Sequence, residues 1–221
     1  MKRLKQSHWI VAVLAVVAGT SGADVRKSVV EPVRSPGERD SVSPACKAFL
    51  ELPAGSTSEL LPWDQRLSLA GCRPLVAPMA VSDPDQFPAM VAGLEGSVAP
   101  QIAIYRDAIA HGPNQIKLVA GYGLGMTYVN VMVRARRSVK VADDGGKYGG
   151  TTYGSLRYLD RLGSLHRTLE PMLAADRDAA LAAFDNVAHL ADQDPVAVSA
   201  NDVVRGAVAG SRTQAELLRH P

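Results

Sequence analysis

The chain has 221 residues, 47 % of them hydrophobic, with 24 lysines and arginines against 22 aspartates and glutamates. Three of the cations lie in the first five residues, and without them 21 cations stand against 22 carboxylates. This balance argues against nucleic-acid binding, which depends on a cationic face, and the length suits one domain with its own core.

Residues 1–23 have the layout of a secretory signal peptide. The chain starts with the basic residues Lys2, Arg3 and Lys5, and an apolar run follows over Trp9–Ala18. Ser21 and Ala23 then place small residues at the −3 and −1 positions of a cleavage site. The apolar run is about half of the ~20 residues that cross a bilayer, which favours cleavage over a retained membrane anchor. We therefore expect an exported protein, periplasmic or secreted.

The next two segments are a predicted linker and a predicted hairpin. Residues 24–43 are polar and contain prolines, so they cannot bury enough apolar surface to fold and are predicted to be a flexible linker. Residues 44–78 are predicted to form a small helical hairpin. Cys46 and Cys72 would join its two helices by a disulfide in an oxidising compartment, and free or intermolecular thiols are the alternative.

The helical region of residues 79–221 begins with a long amphipathic helix. Apolar residues recur at steps of three and four over Phe87–Ile109, which traces one helix face. Pro100 lies inside this stripe, and because the stripe stays in phase across it we predict a kink, not a break. A tight reversal at Gly112-Pro113 then leads to the next helix.

The segment Leu118–Val133 is apolar or small nearly all round, which is typical of a central, buried helix. Gly121 and Gly125 lie one turn apart, so we expect another helix to contact this face closely. A transmembrane span is the alternative, but its sixteen residues, three glycines and Asn130 argue against it. The glycine spacing matches no phosphate-binding loop.

Two more helical stretches complete the chain. Residues 140–154 are rich in glycine and are predicted to be a loop. A long helix is predicted over Ser155–Ala191, with a leucine stripe that starts at Leu162 and a kink at Pro171. Asp194-Pro195 is expected to cap a last helix.

The predicted fold class is all-α, because no run of alternating β-branched residues bounded by turns indicates a strand. Short reversals force neighbouring helices to be antiparallel. We expect an up-down antiparallel bundle of about four long helices over residues 79–221, which forms one folded unit with the hairpin of residues 44–78.

Three histidines have a carboxylate four residues away, and such pairs are expected to be solvated ion pairs on a helix face. They are Asp107–His111, His166–Glu170 and Asp185–His189. In an up-down bundle Asp107, His111, Asp185 and His189 would lie at the same pole, with Asp192 nearby. A metal site there is the alternative, although the spacing is not that of carboxylate di-iron bundles.

Tyr122, Tyr128 and Asn130 place polar groups on the predicted central helix. We expect them to be satisfied by hydrogen bonds across helices, and a polar ligand pocket inside the bundle is the alternative. No G-x-S-x-G or C-x-x-C-H pattern is present, so the sequence predicts no catalytic residues and no cofactor.

The sequence therefore favours a non-enzymatic exported helical protein that acts as an interaction or structural module of the cell envelope. Its expected partner is a protein in the envelope or outside the cell, with no nucleic acid and no stable membrane span after cleavage. The alternative is a metal- or small-ligand-binding bundle that uses the histidine–aspartate pole or the region around Asn130, with catalysis as a further option.

Overall fold

The computed structural model describes residues 62–72, 79–142, 152–199 and 201–220. The predicted signal peptide, the linker and most of the hairpin lie outside these ranges. Cys46 lies outside them as well, so the predicted disulfide stays a prediction.

Seven α-helices and two short 3₁₀ turns make up the regular structure of the described ranges. In chain order they are α1 (Trp63–Cys72), a 3₁₀ turn (Pro84–Gln86), α2 (Phe87–His111), α3 (Asn114–Ser138), α4 (Thr152–Leu169), a 3₁₀ turn (Glu170–Leu173), α5 (Ala174–Gln193), α6 (Pro195–Ser199) and α7 (Asp202–Arg219).

The predicted all-α class is confirmed for the described residues, which contain no strand. An isolated bridge joins Val81, before α2, to Val139, after α3. The Val81 amide donates to the Ser138 carbonyl at 2.8 Å, and the Lys140 amide donates to the Val81 carbonyl at 2.9 Å. These bonds hold the start of α2 beside the end of α3.

The 3₁₀ turn that leads into α2 is capped by a side chain. The Asp83 carboxylate accepts a hydrogen bond from the Asp85 amide at 3.0 Å at the start of the 3₁₀ turn. α2 then continues through Pro100 without interruption to His111, so the helix is not broken there. The reversal at Gly112-Pro113 separates α2 from α3.

α3 is central among the described helices, because it packs against α1, α2, α5 and α7. The predicted close contact at its glycines is present. A Cβ atom added to Gly121 would lie 2.5 Å from Val187 Cγ2, and one added to Gly125 would overlap the Phe184 ring. The absent side chains therefore let α5 approach α3 more closely than larger residues allow.

α3 is also the one helix of the described ranges that is long and apolar enough to cross a membrane. Half of its apolar window is buried inside the structure. One such helix is weak evidence for a membrane span, because a helix buried at the centre of a folded domain has the same length and composition.

The second half of the chain differs from the predicted helices in three places. Residues 152–154 belong to α4, although they were expected to end the loop before it. The chain forms a 3₁₀ turn over Glu170–Leu173, because Pro171 has no N–H for an α-helical bond. The last helix is divided, since the Asn201 side chain accepts a hydrogen bond from the Val204 amide at 2.9 Å and starts α7 after the short α6.

The main core lies between α2, α3, α4 and α5. Its largest fully buried side chains are Phe87, Val98, Met132, Leu165, Leu169, Leu173 and Phe184. A smaller cluster joins α3 to α5, α6 and α7, and another joins α1 to α2 and α3. The leucines near the end of α4 are thus anchored in the core, and the start of α4 lies away from it.

Candidate functional site

The predicted pair Asp107–His111 is part of the contact that docks α1 on α2. Arg66 of α1 donates to Asp107 Oδ2 at 2.9 Å, and His111 Nδ1 lies 2.9 Å from Asp107 Oδ1. The Arg66 guanidinium also lies 4.6 Å from the centre of the Trp63 ring. Because Arg66 and His111 contact both oxygens of Asp107, this carboxylate helps to hold α1 in place on α2.

The other predicted pair, Asp185–His189, is divided between two different partners. Arg219 of α7 donates to Asp185 at 2.5 Å, and Gln193 Nε2 lies 3.0 Å from His189 Nε2. A third carboxylate of this region, Asp192, accepts from Arg212 at 2.7 Å. All of these contacts lie on the exposed side of α5.

The metal site that was the alternative at this pole is not seen in the described part of the chain. No group of three or more histidine, cysteine, aspartate and glutamate residues there could hold a metal ion. α2 and α5 both pack extensively on α3, and the carboxylates Asp107 and Asp185 contact different arginines, Arg66 of α1 and Arg219 of α7.

Glu170, the carboxylate of the third predicted pair, forms its ion pair with Arg136. Arg136 donates to both oxygens of Glu170, at 2.7 and 2.8 Å, and holds the pKa of Glu170 below its usual value. His166 Nε2 lies 3.3 Å from the Arg136 carbonyl oxygen. These contacts join the end of α4 to the last turns of α3.

Tyr122 and Tyr128, for which a shared polar pocket was the alternative, lie on different faces of α3. Tyr122 is buried against Phe184 of α5, with ring centres 6.1 Å apart. The Tyr128 hydroxyl accepts a hydrogen bond from Arg106 of α2 at 3.1 Å. Asn130 is half-buried on the same helix. Tyr122 and Tyr128 therefore join α3 to opposite neighbours, which argues against a shared ligand pocket.

Asp176 is a buried carboxyl group that the sequence did not single out. It lies in the first turn of α5 and is only 4 % exposed, and its Oδ2 has no hydrogen-bond partner. Burial, and to a smaller extent the negative charge of Glu95 on α2, raises the pKa of Asp176 to about 6. This group consequently gains or loses its proton within the range of ordinary environmental pH.

The start of α4 presents large apolar side chains to solvent. Leu156 is 55 % exposed and Leu159 is 60 % exposed, whereas Leu165 and Leu169 are buried in the core. Three residues rotate a helix by 300°, so leucines at steps of three turn by about 60° at each step. The leucines at steps of three therefore wind around α4, so that Leu165 faces the core while Leu156 and Leu159 face solvent.

Two depressions on the surface of the described residues are shallow and open. One, of about 430 Å³, lies between α5, α6 and α7 and includes the paired side chains Asp192 and Arg212. Another, of about 230 Å³, lies beside the end of α7 and includes Leu217 and His220. A typical ligand site is an enclosed, mostly apolar cavity into which a few polar groups point. Neither depression has this form.

No family model, curated protein or solved structure matches this chain.

The geometry favours a surface over a chemical site. Most of the polar residues that the sequence marked as candidates contact one another or neighbouring helices, and their pairing explains their presence as docking contacts. The exposed leucines of α4 lack such an explanation. Sequence analysis counted the leucine stripe from Leu162, and continuing it backwards in steps of three would have found Leu159 and Leu156.

Proposed function

We propose that this protein is an exported, non-enzymatic interaction module of the cell envelope, and that its binding surface lies on α4. The observation that carries the proposal is the exposure of Leu156 and Leu159 at the start of a helix whose other end is anchored in the core. A helix held in this way presents its apolar side chains without first having to fold, which lowers the entropy cost of binding a partner.

The outer face of α4 has the residue spacing of a helix-binding surface. We use this name for Leu156, Leu159, Asp160, Gly163 and Arg167, which lie within about 100° of one another around the helix axis. Leu156, Leu159 and Gly163 are separated by three and four residues, as are the positions that one helix presents to another. An α-helix is therefore the partner element that this face fits best.

The finer architecture belongs to the same proposal. We infer that the long helices form an up-down antiparallel bundle, and three contacts between helix ends support this. The start of α2 meets the end of α3 through Val81 and Val139, the start of α3 meets the end of α5 through Asn114 and Asp194 at 2.8 Å, and the end of α3 meets the 3₁₀ turn before α5 through Arg136.

Export and the disulfide complete the proposal and rest on the sequence. Mass spectrometry of the protein recovered outside the cytoplasm should find Asp24 at its N-terminus. A thiol-reactive dye should label Cys46 and Cys72 only after reduction. Labelling of both cysteines without reductant would contradict the bridge.

The binding surface can be tested by photo-crosslinking in intact cells. A photoreactive amino acid at position 159 should give a crosslinked product of higher mass, and the same amino acid at position 217 serves as the control. Leu217 is 49 % exposed but lies on α7, so it matches Leu159 in residue type and exposure. Equal products from both positions, or none from position 159, would contradict the proposed surface.

A further inference from the structure

Asp160 and Arg167 are opposite charges on the outer face of α4 that have no ion-pair partner among the described residues. They are separated by seven residues, or about 10 Å along the helix axis, and they form no ion pair with each other. Seven residues are nearly two full turns, so both side chains lie on the same side of α4.

The arginines of α7 show the contrasting situation. Each of them forms an ion pair with an aspartate of its own or a neighbouring helix: Arg205 with Asp202, Arg212 with Asp192, and Arg219 with Asp185. Charged residues are therefore paired where α7 packs on α5. The unpaired aspartate and arginine of α4 lie beside its exposed leucines.

Gly163 lies midway between these two charges. A Cβ atom added to Gly163 would have one neighbouring group within 4 Å, the guanidinium tip of Arg167 at 3.6 Å. The backbone of α4 is therefore open to close approach at this position. Small residues at a helix crossing let two backbones come together.

We infer that the outer face of α4 binds the same face of a second copy of this chain, with the two helices antiparallel and crossing near Gly163. A two-fold axis between residues 163 and 164 places Asp160 of each copy opposite Arg167 of the other. Such an interface is self-complementary, as a two-fold contact requires. It gives two equivalent ion pairs across the axis and covers Leu159 of both copies.

Charge complementarity is what selects a second copy over another occupant. The same face carries one negative and one positive charge, symmetrically placed about an open glycine, and a copy of itself neutralises both. An anionic lipid surface would repel Asp160, and a uniformly acidic partner would leave it unpaired. This inference rests on the proposed function, because it names the partner of the same surface.

The dimer is expected to be weak. Two leucines per copy supply little of the about 800 Å² that each partner contributes to a standard interface. Sedimentation velocity of the protein, purified in the form that cells accumulate, should therefore show a monomer–dimer equilibrium in about the micromolar range. Leu159→Ser should weaken the dimer about ten-fold, and Leu217→Ser on α7 should leave it unchanged.

Charge reversal gives the decisive test. Asp160→Arg and Arg167→Asp should each weaken the dimer about ten-fold or more, because each places like charges opposite one another. The double variant Asp160→Arg/Arg167→Asp should recover the dimer, since the pairs re-form with opposite polarity. A far-ultraviolet circular dichroism spectrum confirms that each variant is folded.

Crosslinking tests the position of the axis. Gly163→Cys should form a disulfide-linked dimer on oxidation, because a disulfide requires Cα atoms about 4.4–6.8 Å apart. Thr168→Cys is the matched control, since Thr168 is exposed on another side of α4 and the pairing would keep it apart from its copy.

The results distinguish the inference from the proposed function. A monomer at all concentrations, or a double variant that does not recover the dimer, overturns self-association. If the photo-crosslinked product from position 159 then contains a different protein, the proposed interaction function stands with another partner. If position 159 gives no product and the chain is monomeric, both proposals are wrong.

Discussion

The buried Asp176 makes a quantitative prediction about stability and pH. We predict that Asp176→Asn stabilises the protein at pH 8 and has little effect at pH 4. The pKa of Asp176 is about 6 in the folded protein against an ordinary value of 3.8. At about 1.36 kcal/mol per pH unit, this difference corresponds to a penalty of about 3 kcal/mol for the ionised group in the folded state.

The sign follows from proton uptake. Because its folded-state pKa is raised, the folded protein binds this proton more tightly than the unfolded chain. The protonated Asp176 therefore contributes most to the free energy of unfolding below about pH 4. This contribution declines as the pH rises towards 6 and is lost above pH 6. Asparagine has nearly the same shape and no charge, so it removes this penalty at high pH, less the cost of any amide hydrogen bond left unmade.

Urea unfolding followed by circular dichroism at several pH values between 4 and 8 measures the effect. The free-energy difference between Asp176→Asn and the unmodified protein should grow with pH, up to about 3 kcal/mol, and the midpoint of thermal unfolding should rise by up to roughly 6–12 °C. Asp178→Asn is the control, since the side chain of Asp178 is 74 % exposed. A difference that does not change with pH would refute the reasoning.

Four further substitutions test the packing, the cap of α7 and the contact that docks α1. Gly125→Ala should destabilise the fold by about 1–3 kcal/mol, because the added methyl overlaps an aromatic ring of α5; Gly96→Ala, which meets nothing within 4 Å, should instead stabilise it by about 0.5–1 kcal/mol in urea unfolding. Asn201→Ala should cost about 1 kcal/mol and speed amide exchange in the first turn of α7, and unchanged exchange would contradict the cap. Asp107→Asn should speed amide exchange in α1 while global stability changes by only about 0–1 kcal/mol, because it weakens the docking contact with Arg66; exchange that rises equally in α5 would contradict a local role.

The all-α class and the central position of α3 could be predicted because both depend on local patterns. Apolar residues spaced three and four positions apart form one face of a helix, whichever neighbour that face packs against. A segment that is apolar on all sides must be enclosed by others. Gly121 and Gly125 also indicated the close contact with another helix, since two missing side chains on one face have few other uses.

The helix boundaries after Pro171 could not be predicted equally well, because competing local signals decide them. Asp194 and Asn201 are both good N-cap residues, and each caps a helix: Asp194 accepts from the Ala197 amide at 3.0 Å, and Asn201 starts α7. Sequence analysis used only the first cap. A single helix was therefore predicted where the chain forms two.

The described residues gather no metal-holding group at this pole, and sequence spacing alone cannot show how these side chains are placed. The prediction placed the ends of α2 and α5 at the same pole, and Asn114 and Asp194 support that placement. Which way each side chain points depends on rotation about the helix axis and on which helices are neighbours. Because α3 is the common neighbour of α2 and α5, the carboxylates of these helices turn towards different arginines.

The pairing of these polar groups is itself an argument about function. A carboxylate that accepts from an arginine of another helix, as Asp107 and Glu170 do, contributes to docking helices, and that contact accounts for its presence. Unsatisfied groups in a folded protein carry a cost that has to be offset elsewhere. In the described ranges the ionised Asp176 is destabilised by its burial. The outer face of α4 leaves the apolar side chains of Leu156 and Leu159 in contact with water. The first is relieved by a proton. The second would be relieved by a partner helix, and so the functional question for this protein is what covers α4.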